Sequence, residues 1–172
     1  MTAPIKPNRR ALLTASLGVA VAATPLGRAL ADSGEVTLPR VTDLAADARI
    51  MRERGLPMLL MVSQTHCGYC EEVKREVIRP MIISGDYDDR VLIREILIDP
   101  FDKIPDFDGT PRDPNVIAAR YKAWVTPTLL FLGPDGEVLS ERILGVNTPE
   151  MYGWYVDSAI DEALGKLRDG AG

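Results

Sequence analysis

Apolar and polar positions change their period along this chain, and each change marks an element. From Thr42, Leu44, Ala48 and Met51 recur at helical spacing, which predicts a helix that Thr42 can cap and Gly55 can end. The run PMLLMVS (57–63) is short, apolar and opened by proline, the pattern of a buried central strand. From Cys70 through EEVKREVI charges alternate while Val73 and Val77 fall four apart. This predicts an amphipathic helix with Glu71 and Arg75 as an i,i+4 pair. VLIREILID (91–99) reads as a second strand, PFDKIPDFDGTPRDP (100–114) as an irregular loop and NVIAARYKAW (115–124) as a helix. Two β-runs then flank the turn GPDGE, a hairpin signal. Tyr152, Tyr155, Val156, Ala159, Ile160, Ala163, Leu164 and Leu167 keep three-four spacing after Thr148 and Pro149, so a closing helix with its aromatics in the core is expected, capped by Thr148. The predicted order, strand, helix, strand, helix, hairpin, helix, is that of an α/β domain.

The first 31 residues have a different composition. Lys6, Arg9 and Arg10 precede the apolar run ALLTASLGVAVAAT, and ALA at 29–31 precedes Asp32, the layout of an export signal cleaved near Ala31. The apolar run is about 14 residues and is followed by Pro25, too short to span a bilayer at about 1.5 Å per residue. An uncleaved anchor is the lesser alternative. NRRALL (8–13) resembles a twin-arginine export motif with Asn8 in place of the usual Ser or Thr, and Arg28 fits that route; an ordinary Sec signal is the alternative. Either route leads to an oxidising compartment, in a bacterium the periplasm.

Removing the signal leaves 172 − 31 = 141 residues, 32–172, expected to form one domain. All 25 acids and 16 of the 20 Lys and Arg lie there, a formal charge of 16 − 25 = −9. This balance points away from nucleic acid.

The candidate chemistry is confined to HCGYC (66–70), which holds both cysteines and the single histidine. A structural zinc site normally needs four Cys or His ligands, and this chain supplies three. A disulfide closing so short a loop removes little chain entropy, so a structural staple is a weak reading as well. The redox reading has a physical basis: a thiol at a helix N-terminus faces the positive end of the dipole and unpaired N–H groups, both of which favour thiolate. Cys67 is thus expected to be the nucleophile. Cys70, one turn into the helix, is expected to be the less exposed resolving thiol.

HCGYC after an apolar strand, RYKAWVTPTLLFLGPDGEV, Gly145 after the hairpin and the amphipathic final helix together make residues 40–167 resemble a thioredoxin-superfamily protein. The resemblance implies a thioredoxin-like fold, a central mixed sheet flanked by helices. It implies a cis bond before Pro127 and a Thr126 backbone placed beside Cys67, where a substrate segment can add as a strand. Gly68 and Tyr69, with Thr126, are similar to the catalytic domain of periplasmic disulfide isomerases of the Dsb group. Those carry an N-terminal dimerisation domain, whereas about ten residues precede the first helix here after cleavage. An isomerase clamp is therefore not expected, and the chain is read as a monomer.

Thioredoxins carry a buried acid six residues before the first cysteine, the place of Met61 here. Glu95, where the family often has lysine, either supplies a replacement carboxylate or is an edge or surface acid. His66 either shifts the Cys67 pKa through its charge or is an exposed spacer. The function expected is a periplasmic thiol–disulfide oxidoreductase acting on protein partners, more reductive than oxidising or isomerising. Its expected means is a redox-active disulfide with no other cofactor and no metal, and its expected electron partner is a membrane protein of the periplasmic thiol system. A Cu(I) carrier using Cys67, Cys70 and His66 is the competing class, disfavoured by the lack of a distant histidine.

Overall fold

A computed structural model describes residues 37–99 and 102–170. The expected signal, 1–31, lies outside the described residues. The elements are α1 (Leu44–Arg54), β1 (Met58–Ser63), α2 (Gly68–Val73), a π-helical turn (Lys74–Ile78), α3 (Arg79–Ser84), β2 (Leu92–Leu97), β3 (Ile104–Pro105), β4 (Pro111–Arg112), α4 (Pro114–Arg120), β5 (Thr128–Leu132), β6 (Val138–Leu144), a 3-10 turn (Pro149–Met151) and α5 (Tyr152–Gly170).

Four strands form a mixed sheet in the order β2-β1-β5-β6. β1 runs parallel to β2 and antiparallel to β5, and β5 is antiparallel to β6. Every residue of β1 and β5 is buried, because helices cover both faces of the central strands. On one face Leu59, Met61, Ile93, Leu129 and Phe131 pack with Cys70, Val73, Ile78 and the Val156–Ile160 stripe of α5. On the other, Leu60, Val62, Ile96, Leu130 and Leu132 pack with Leu44 and Met51 of α1 and Ile117 of α4.

Several local expectations change in three dimensions. Asp43, not Thr42, caps α1: its Oδ1 accepts the Ala46 N–H at 2.8 Å, while Gly55 at φ 64° ends the helix as expected. The helix after the cysteines widens by one residue per turn over 74–78, with the Arg79 N–H donating to the Lys74 carbonyl. Pro80 accounts for it, since proline has no N–H to give and its ring clashes with the carbonyl four residues back. Glu71 and Arg75 are not a pair: Glu71 binds Lys74 at 2.8 Å and Arg75 binds its neighbour Glu76 at 2.6 Å.

The stretch 100–114 is not wholly irregular, for β3 and β4 form a short antiparallel hairpin. The buried Asp106 carboxylate holds it, forming an ion pair with Arg112 and accepting from Arg120 and from the Phe107 N–H. α4 is shorter than expected, stopping at Arg120, after which Lys122 takes a left-handed conformation, φ 54°. At the last helix Thr148 makes no side-chain cap and a 3-10 turn comes first. Tyr152 is buried, which pushes its phenol up to about 12. Tyr155 is exposed beside Trp154, so only one of those two tyrosines belongs to the core.

Candidate functional site

β1 delivers the chain to the end of the sheet at Ser63, and Gln64–His66 turn it into α2. His66 sits there at φ 62°, a left-handed conformation that costs energy for a residue with a Cβ. One anchor of the turn is Asp99, just past β2, whose Oδ2 accepts the Thr65 N–H at 2.6 Å. Desolvation works to raise the Asp99 carboxyl, but the Thr65 hydrogen bonds and the nearby His66 charge outweigh it and hold it below the usual carboxylate range. His66 itself is exposed.

Cys67 is the N-cap of α2. Its Sγ accepts the Cys70 N–H at 3.2 Å, and its carbonyl accepts from Cys70 and Glu71. Cys67 and Cys70 form a disulfide, with Cys67 partly buried and Cys70 wholly so. A cap sulfur that accepts a helix N–H as a disulfide is placed to accept it as a thiolate, where the charge makes the bond stronger. Gly68 is not demanded by space, since a Cβ there would meet nothing within 4 Å. Tyr69 is 65% exposed.

The second loop of the site precedes β5. The Thr126–Pro127 bond is cis. Thr126 Oγ1 donates to Gln64 Oε1 at 3.0 Å, tying this loop to the turn before Cys67, and the Pro127 carbonyl accepts the Gly145 N–H at 2.8 Å. Trp124 and Val125, immediately before, are exposed.

Glu95 is neither a surface acid nor an open-edge acid. β2 is the edge of the four-stranded sheet, yet residues 39–41 pair along its outer side, the Glu95 N–H donating to the Pro39 carbonyl and the Val41 N–H to the Glu95 carbonyl. The Glu95 side chain is 3% exposed and stands 2.7 Å from Lys74 Nζ, with Arg40 Nε at 3.6 Å. In register it lies opposite Met61. Lys74 follows Cys70 by one helical turn, its N–H donating to the Cys70 and Glu71 carbonyls. Desolvation acts to lower the Lys74 ammonium, but Glu71 and Glu95 outweigh it and raise its pKa. The carboxylate therefore lies on the same sheet face as Cys70, joined to the cysteine helix through Lys74.

Three residues of this arrangement were not singled out from sequence: Gln64, Lys74 and Asp99. Lys74 carried a signal, being four residues after Cys70 on the same helical stripe. Gln64 and Asp99 carried none, because their partners are 62 and 34 residues away. Among the described residues no group of three or more His, Cys, Asp or Glu could hold a metal ion, and no helix is long and apolar enough to cross a membrane.

A poplar thioredoxin h mutant superposes with a TM-score of 0.50 at 18% identity, over 72% of this chain and 82% of that one. The wild-type poplar thioredoxin h gives 0.49 at 19%, covering 70% and 94%. A thioredoxin from Fasciola hepatica gives 0.49 at 16%, covering 73% and 99%. Identities this low speak to the fold alone. No curated protein matches the sequence. The thioredoxin-like domain family, in contrast, matches residues 44–160, a span that contains both cysteines, Glu95 and Pro127. With the Cys-x-x-Cys disulfide at the helix start, that match places the chain in the thioredoxin superfamily.

Proposed function

We propose that this chain is a periplasmic thiol–disulfide oxidoreductase that reduces protein disulfides and is recharged by a membrane electron-transfer protein. The observation that carries the chemistry is the asymmetry of the two cysteines, one a partly accessible helix cap and the other buried behind it. In the reduced protein the Cys67 thiolate attacks a partner's disulfide, forming a mixed disulfide and expelling one partner thiolate. Cys70, losing its proton, then attacks Cys67 Sγ and releases the second partner thiolate. The products are the Cys67–Cys70 disulfide and a reduced partner, two electrons having moved outward.

The reductive direction draws support from Glu95. Fast resolution needs an acceptor for the Cys70 proton, and Glu95 is the carboxylate on that face, held by Lys74 at 2.7 Å. Export to the periplasm draws support from the basic and apolar pattern of residues 1–31.

The deciding measurement is the reduction potential of the Cys67–Cys70 couple. A value near about −270 mV fits a thioredoxin-like reductant, and one near about −120 mV would reverse the direction. Location is tested by fusing residues 1–31 to a reporter with no signal of its own. A reporter retained in the cytoplasm would remove the periplasmic assignment.

A further inference from the structure

Behind the cysteine helix lies a groove of about 340 Å³ whose walls include Lys74 and Glu95 but neither cysteine. Its walls carry Arg40, Lys74, Arg75 and Arg79, with Glu71 and Glu95 as its carboxylates. Four cations against two anions is an inversion of the chain's own balance, which is −5 overall. Both carboxylates are engaged by Lys74, at 2.8 and 2.7 Å. Arg75 is bound to Glu76. Arg40 approaches Glu95 only to 3.6 Å, beyond hydrogen-bond distance. Arg79 is partly buried and has no ion-pair or hydrogen-bond partner among the described residues.

Two guanidinium groups thus face one groove with most of their donors uncommitted. A guanidinium presents a planar fork of N–H donors that matches the oxygens of phosphate, sulfate or carboxylate. At about 340 Å³ the groove is of the size that holds a small molecule bearing such a group.

We propose that this groove binds a small oxyanion, a phosphate or a molecule carrying an equivalent doubly charged group, through Arg40 and Arg79. Its place in the fold adds a consequence. Lys74 forms part of the wall and its backbone N–H is bonded to the Cys70 carbonyl, so occupancy is felt at the cysteine helix. The site stands independently of the direction of electron flow.

The test is titration of the oxidised protein with inorganic phosphate, against sodium chloride of matched ionic strength, read by backbone amide NMR shifts. Saturable shifts centred on residues 71–79 that chloride does not reproduce are the expected result. Arg79→Gln and Arg40→Gln should each weaken the phosphate response at least tenfold, while Arg49→Gln on α1, across the sheet, should leave it unchanged. Amide spectra of the variants away from the groove establish that they fold. Shifts that grow linearly without saturation, that chloride matches, or that survive in both groove variants would overturn the proposal.

Discussion

Arg94 and Glu95 are neighbours on β2 and point to opposite faces of the sheet, and each is half of an ion pair that ties the strand to a helix. On the α1 face Arg94 Nε holds Asp47 Oδ1 at 2.8 Å, and on the cysteine face Glu95 Oε1 holds Lys74 Nζ at 2.7 Å. The device is the same and its polarity is reversed. Where the sheet supplies the cation, the pair ties β2 to α1 on the face away from Cys70. Where the sheet supplies the anion, the carboxylate shares its face with Cys70 and the cation belongs to the cysteine helix. A pair that merely pins a helix and a pair that can serve thiol chemistry are thus told apart by which side contributes the carboxylate and what lies behind it.

The largest expected effect belongs to the cysteine face. Cys67→Ser should abolish disulfide exchange, and Cys70→Ser should accumulate mixed disulfides with protein substrates. If alkylation with limiting reagent labels Cys70 before Cys67, the two roles are reversed.

Next come the two ion pairs, which should cost similar stability and differ in activity. Lys74→Met and Arg94→Met each take the nearest cation from a buried carboxylate, at a cost of about 3 kcal/mol, measured by denaturant unfolding. Only Lys74→Met should slow resolution of the mixed disulfide. Equal rates in the two variants would dissolve the functional half of the comparison. The pH dependences also separate them. Lys74 is raised in the fold, so its contribution is complete below the ordinary lysine value of about 10.4 and is lost as pH rises through its higher native value. Asp47 is raised because desolvation outweighs Arg94. Stability there falls as pH rises from the ordinary aspartate value of about 3.9 through the native one, and Asp47→Asn should remove that slope.

A smaller effect tests the α1 face alone. Asp43→Ala should cost about 1 kcal/mol by removing the cap on the Ala46 N–H, while Thr42→Ala should cost far less. Exchange kinetics should be unchanged in both. The smallest change in stability is expected from Tyr69→Pro, within about 1 kcal/mol, because the side chain is 65% exposed and proline is tolerated in a first helical turn. The potential should nonetheless fall, and an unaltered potential would show that the dipeptide does not tune the couple.

Much of this was legible along the chain because it depends on neighbours in sequence. The period of apolar residues placed β1, β2, the hairpin and α5, and the cysteine spacing placed a Cys-x-x-Cys pair at the start of a helix. Errors fell where local rules competed. Thr42 and Asp43 are both good caps, and the geometry of the entering chain chose between them. Glu71 and Arg75 stand at the correct interval for a regular helix, but Lys74, one residue nearer, takes Glu71, and Arg75 pairs with its neighbour Glu76. The hairpin within 100–114 escaped notice because two-residue strands leave no periodicity, and a buried Asp106 binding two arginines holds them instead.

By itself, then, the sequence determined the main helices and strands, the Cys-x-x-Cys pair and the family resemblance, since each rests on the identity and spacing of residues within short motifs and on the order of those motifs along the chain. The tertiary structure alone decided the burial of Glu95, its union with Lys74, the Thr126–Gln64 and Thr65–Asp99 ties and the cationic groove. Each of these joins segments tens of residues apart. A carboxylate at one strand position reads the same in sequence whether it faces water or a lysine, and only the packing of residues 39–41 and the cysteine helix around it removes the water.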